Sequence, residues 1–163
     1  MEELQERLKA VASKKSIPFC YGCYKEARTG RCLNCFSDDL MRLVEGVGVE
    51  YGIEWVVKHL IQENIEEADT DAAFEESVSQ CYPEEVKIGW ITYDTVSAIK
   101  ELEPVSWDLA KSEWIAQEVS EENLVTFDNG STHCTRIDIE EYLDEVEREL
   151  ETNDASSDQK ETI

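Results

Sequence analysis

Four cysteines fall in two Cys-x-x-Cys pairs, Cys20 with Cys23 and Cys32 with Cys35, within the stretch CYGCYKEARTGRCLNC. Each pair can turn two sulfurs to one side of a tight knuckle. Two facing knuckles complete the tetrahedral set of four thiolates that suits zinc. The chemistry expected is therefore Zn2+ binding at Cys20, Cys23, Cys32 and Cys35. Four thiolates close the shell and leave no position for water, so the metal is expected to be structural, not hydrolytic. Of the remaining cysteines, Cys81 stands alone, and Cys134 is expected on a buried strand face as a small apolar residue. His59 and His133 have no partners at ligand spacing.

The phrases FCYGCY and RCLNCF resemble the two knuckles of a zinc ribbon, over residues 17–43 alone. The resemblance implies structural zinc on the same four cysteines. It also implies brief strands, because eight residues between the pairs is short for a ribbon. Rubredoxin-like iron sites use similar knuckles, but the glycine usual after each pair is replaced here by Tyr24 and Phe36, which lowers the iron reading. Lys25, Arg28 and Arg31 lie among Phe19, Tyr21, Tyr24 and Phe36, and together they suggest either a recognition face or a metal cover with solvated charges. Residues 1–44 hold eight basic and six acidic residues, and a balance of +2 is weak for phosphate neutralisation. The cover is therefore the expectation.

Catalytic patterns are missing. There is no glycine-rich phosphate loop, no nucleophile elbow and no His-Glu-x-x-His. Asp69 and Asp71 lack phosphatase-like flanks, and Ser131 near His133 has no third partner in view. No enzymatic activity is expected.

Charge is the second feature of note. The chain carries −23 overall, and residues 45–163 hold seven basic against 32 acidic residues, a balance of −25. Self-repulsion on this scale destabilises a compact chain, so it calls for high salt, a solvating role or a basic partner. Near the C-terminus Asp138, Glu140, Glu141, Asp144, Glu145 and Glu147 crowd one segment and are the candidate partner-binding residues. Phage and plasmid inhibitors of restriction or CRISPR systems are similar in size and acidity, though no motif is shared. The expected partner is a protein with a basic surface, such as a nucleic-acid-handling complex, and direct binding of nucleic acid is not expected. A zinc-ribbon regulator that contacts nucleic acid or the transcription machinery is one alternative, and an enzyme whose motif goes undetected is the other. No apolar run approaches the roughly 18 residues that span a bilayer, and the first residues lack a secretory apolar region, so a cytoplasmic location is expected.

These residues need positioning elements. Leu4, Leu8 and Val11 recur at helical spacing over residues 2–14, and Pro18 ends that helix. Residues 47–65 predict a helix with a stripe of Ile53, Val56, Val57, Leu60 and Ile61, weakened at its start by Gly46, Gly48 and Gly52. Further helices are expected over 71–81, capped by Asp69 or Thr70, over 94–102, and from a Ser106 cap to Val119 with a stripe of Leu109, Ala110 and Trp114. Residues 86–93 predict one short strand. Asn129-Gly130 predicts a two-residue hairpin pairing Phe127 with Thr132 and Val125 with Cys134. A final amphipathic helix is expected over 138–150, where Asp138 and Glu141 can make a capping box and Ile139, Tyr142, Leu143, Val146 and Leu150 follow the helical spacing. The fold class expected is α+β. The helix and ribbon occupy residues 1–44, an acidic domain 45–151, and a disordered tail 152–163.

Overall fold

The computed structural model describes residues 2–157, with side chains described through residue 152. The architecture is α+β: an N-terminal helix, a small sheet bearing the cysteines, further helices, a C-terminal hairpin and a last helix. Residues 2–66 and 137–157 make one compact unit, and Glu67–Arg136 make a second.

In the first unit, α1 (Glu2–Lys14) buries Leu4, Leu8, Val11 and Ala12 as the helical spacing predicts. Acidic Glu2 and Glu3 open it and Lys14 closes it, matching the helix dipole. The buried Ser16 hydroxyl donates to the Ala12 carbonyl at 2.6 Å and satisfies one orphan acceptor of the last turn. A four-stranded antiparallel sheet follows in the order β2-β1-β3-β4, from β1 (Ile17–Cys20), β2 (Lys25–Glu26), β3 (Met41–Val44) and β4 (Gly48–Glu50). Pro18 lies in β1 opposite Arg42, and its carbonyl accepts from the Ala27 amide at 2.7 Å.

The helix expected over 47–65 is shorter than predicted. Residues 48–50 are strand β4, and α2 runs over Glu54–Asn64. Glycine explains the difference. Gly46 (φ 77°) turns the β3–β4 hairpin, and Gly52 (φ 81°) breaks the chain before the helix. Val56, Val57 and Ile61 are buried as expected. Helix α6 (Arg136–Ser157) buries Ile139, Leu143 and Val146, with Tyr142 and Leu150 half-buried. It starts two residues before Asp138, so the expected capping box does not form. It also continues past 150, so residues 152–157 are helical. The rest of the expected tail, 158–163, lies outside the described residues.

The second unit holds α3 (Thr70–Cys81), β5 (Glu85–Ile88), β6 (Ile91–Asp94), α4 (Thr95–Leu102), α5 (Pro104–Ser120), β7 (Leu124–Val125) and β8 (Cys134–Thr135). Asp69 caps α3 by accepting from the Ala72 amide at 3.0 Å. Its core is aromatic, with the Phe74 ring centroid 4.7 Å from Trp107 and 5.7 Å from Trp114. Lys100 sits 5.2 Å over the Trp107 ring and pairs with Glu75.

Four expectations fail here. Helix α5 starts at Pro104, which suits the first helical position, so Ser106 is internal and not a cap. Its buried side is set by Trp107, and Leu109 is exposed. Residues 86–93 form a hairpin, not one strand: Ile88 pairs with Ile91, leaving Gly89-Trp90 as a two-residue turn. Only Gly89 has positive φ (67°), the pattern of a type II′ turn. The Asn-Gly hairpin is real but wider than predicted. Val125 does pair with Cys134, yet the ladder ends there, and residues 126–133 form a loop. Asp128 opens it by accepting from the Thr132 amide (2.9 Å) and hydroxyl (2.8 Å), which replaces the expected Phe127–Thr132 pairing.

Candidate metal centre

The four knuckle cysteines converge. One sulfur from each of Cys20, Cys23, Cys32 and Cys35 lies within 4.8 Å of all the others. The Cys20 and Cys35 sulfurs are 3.7 Å apart. A tetrahedral metal with M–S bonds of about 2.3 Å needs an S···S edge of about 3.8 Å. The cage therefore has the right size for a metal ion, and none of the six cysteines is in a disulfide.

Two local structures build it. Cys20 ends β1, and the turn after it brings Cys23 back before β2. On the other side the Phe36 amide donates to the Cys32 carbonyl at 2.8 Å, and the Cys32 amide donates to the Ser37 carbonyl at 2.9 Å. The Arg31 Nε donates to the Phe36 carbonyl at 2.8 Å and ties the end of this turn to its start. The residue after each pair has left-handed backbone: Tyr24 at φ 55° and Phe36 at φ 59°. The knuckles thus keep the conformation that glycine ordinarily supplies, although the residues are aromatic.

The electrostatics suit a cation. The backbone amides of Cys35 and Asn34 hold the Cys32 thiol down at about 6. The Cys35 thiol is also favoured as thiolate by the Ser37 amide, but the sulfurs of Cys23, Cys32 and Cys20 outweigh that and push it up to about 12. Crowded thiolates repel one another until a cation compensates them. The Asn34 side-chain amide adds a donor 3.1 Å from the Cys23 sulfur, the kind of outer contact that orients a ligand. Cys20 and Cys32 are buried with Ala27, while Cys23 is half-buried and Cys35 exposed.

The expected aromatic cover does not form. Phe19 is buried, but Tyr24 is 77% exposed and Phe36 66% exposed, and Tyr21 and Leu33 also face solvent. Left-handed backbone at Tyr24 and Phe36 carries those side chains outward from the knuckles. The rings of Phe19 and Tyr24 still meet edge-on at 5.3 Å, and Tyr21 lies 6.0 Å from Tyr24.

The acidic candidates all lie on α6. Glu141, Asp144 and Glu145 are exposed, and Asp138 is exposed at the first turn. Glu140 and Glu147 are half-buried. Arg7 of α1 reaches two of them: its Nη2 is 2.7 Å from Asp144 and 2.8 Å from Glu147, and its Nε donates to Glu147 at 3.1 Å. These contacts raise the Arg7 pKa, the Glu147 hydrogen bond most. Sequence reasoning missed this clamp, because residues 137 and 140 positions apart share no local pattern.

Asp69, Asp71 and Ser131 have structural partners. Asp69 caps α3, and Asp71 pairs with Lys111 at 2.5 Å. The Ser131 hydroxyl donates to the Asp128 carbonyl at 3.3 Å, and the His133 carbonyl accepts from Ala68 at 2.8 Å. Cys134 is buried, as expected from its strand position. No family model, curated protein or solved structure matches the chain. Among the described residues, no helix is long and apolar enough to cross a membrane.

Proposed function

We propose that this chain is a non-enzymatic zinc protein that uses negative charge to bind a partner with a basic surface. In this reading Zn2+ is held by Cys20, Cys23, Cys32 and Cys35 as a structural ion. Four sulfurs fill a tetrahedral shell, so the metal supplies folding energy and no open position for a substrate. The observation that carries the partner reading is the charge of −25 confined to residues 45–163. Such a surface matches the face that a nucleic-acid-handling protein offers to phosphates, and occupying that face would inhibit it by mimicry. A cytoplasmic setting fits both thiolate zinc and a target of this kind.

Glu141 and Glu145 are the residues to test, since both are exposed and neither is clamped by Arg7. In capture from the producing cell, partner binding is expected to fall steeply with added salt. It is expected to weaken further in Glu141→Lys with Glu145→Lys. The reading fails if that double variant binds fully while Arg28→Ala with Arg31→Ala does not.

One observation favours a second reading. The exposed Tyr21, Tyr24, Leu33 and Phe36 stand beside exposed Lys25, Arg28 and Arg31, as in faces that stack and neutralise nucleic acid. A zinc-ribbon regulator would then bind DNA or RNA directly. A mobility-shift assay at low salt separates the two, since a mimic gives no shift.

A further inference from the structure

The β5–β6 ribbon exposes every one of its eight residues. Its register sorts them by face. Val86 pairs with Tyr93 and Ile88 with Ile91, so these four share one side, while Glu85, Lys87, Thr92 and Asp94 share the other. A two-stranded ribbon is marginal in water unless its apolar face is covered. Here that face meets α4 only in part. Ile88, Ile91 and Tyr93 form one wall of a groove, and Ala98, Glu101 and Leu102 form the other. The groove encloses about 170 Å3. That is comparable with an apolar cavity of about 150 Å3 that takes up benzene. Beside it the Gly89-Trp90 turn holds the Trp90 indole 95% exposed.

The charge around the groove restricts what can fill it. Glu101 is in the lining, and Glu84 and Glu103 flank β5 and the end of α4, all exposed. The unit Glu67–Arg136 contains sixteen acidic and four basic residues. Three of those four, Lys100, Lys111 and Arg136, already pair with carboxylates of the same unit. A second copy of the chain would bring another acidic rim against this one, and nucleic acid would be repelled likewise. A cationic peptide segment has the complementary charge.

We infer that this groove docks an amphipathic, Lys/Arg-rich segment of the basic partner protein, with one leucine- or phenylalanine-sized side chain seated between the ribbon and α4. The inference rests on the proposed acidic-surface reading and assigns it a place. Trp90 closes over the seated side chain, and Glu101 meets the flanking cation. Trp and a buried apolar anchor are the residue types that dominate such contacts, and the acidic rim sets orientation and on-rate.

The test uses the full chain and a synthetic Leu/Lys amphipathic peptide, mapped by NMR. Expected are shifts at the Trp90 indole and at Ile88, Ile91, Tyr93 and Leu102. Trp90→Ala and Leu102→Asp each should weaken binding by about tenfold or more, as loss of a hot spot does. Both side chains are exposed, so the fold should persist, as unchanged Trp107 resonances would verify. Replacing the peptide leucines by alanine should remove the groove shifts. If shifts instead spread over Glu141 and Glu145 and ignore the peptide leucines, the groove is wrong while the acidic-surface reading stands. If the peptide shifts nothing at all, both fall. If the ribbon resonances broaden with protein concentration alone and sedimentation gives a dimer, a second copy is the occupant and the inference is overturned.

Discussion

At the residue scale the metal site makes the sharpest demands. Cys20 and Cys32 are buried sulfurs in a cage sized for a tetrahedral ion. Metal analysis should find one zinc per chain. Cys20→Ser or Cys32→Ser should abolish it, and Cys81→Ser, at an exposed position, should leave it unchanged. A strong chelator should strip amide protection from Phe19 and Ala27, because structural zinc binding is coupled to folding. The two knuckle aromatics allow a finer test. A non-glycine residue in the left-handed region costs about 1–2 kcal/mol, and glycine elsewhere loses about 0.5–1 kcal/mol to entropy. Phe36→Gly should therefore stabilise the metal-loaded protein by up to about 1 kcal/mol in urea melts. Tyr24→Gly should gain less, because it also loses the edge contact with Phe19. The convergence of the four cysteines was legible from spacing alone. The outward direction of Tyr24 and Phe36 was not, because it depends on backbone handedness, which residue type did not reveal.

At the element scale, long-period apolar patterns were legible and turns were less so. The central residues of the α1, α2 and α6 stripes are buried, and Leu60, Tyr142 and Leu150 are half-buried, since three or more apolar residues at helical spacing leave little choice of face. Ile139→Ala or Leu143→Ala should each cost about 2–5 kcal/mol, both being fully buried. Short elements depended on single residues. Gly89 made a hairpin of an expected strand, and Asp128 widened an expected two-residue turn. The cap of α4 offers a pH test. The Ser97 amide holds the Asp94 carboxyl below the usual carboxylate range. A lowered folded value means that the stabilisation is present at neutral pH and is lost as pH falls through that value. Asp94→Ala should thus be less stable than wild type near pH 7, and the gap should close on acidification. Asp94→Asn should keep the cap and flatten the pH dependence.

At the scale of the whole molecule, the net charge of −23 is the feature with the widest reach. A net charge of −23 repels itself at low ionic strength, and screening shortens the reach of that repulsion from about 10 Å at 0.1 M salt to about 3 Å at 1 M. The urea midpoint should therefore rise with sodium chloride, while partner binding weakens under the same change. Opposite salt slopes for stability and binding are expected of a surface whose charge serves recognition. The charge itself was legible in the composition. The Arg7 clamp on Asp144 and Glu147 was not, since it joins opposite ends of the chain.

The first unit is assembled from two stretches, 2–66 and 137–157, with Glu67–Arg136 inserted between them. A ribosome must therefore make the whole insert before Ile139, Leu143 and Val146 emerge to complete the core begun by Leu8 and Val56. The insert does not have to wait: Ala68 and His133, near its two ends, already bond to each other at 2.8 Å. During synthesis the second unit can close first, while α1 and α2 wait for α6 to complete their apolar cover. In that interval the four cysteines are complete by residue 35, and metal capture can give the waiting segment local order before its last helix arrives.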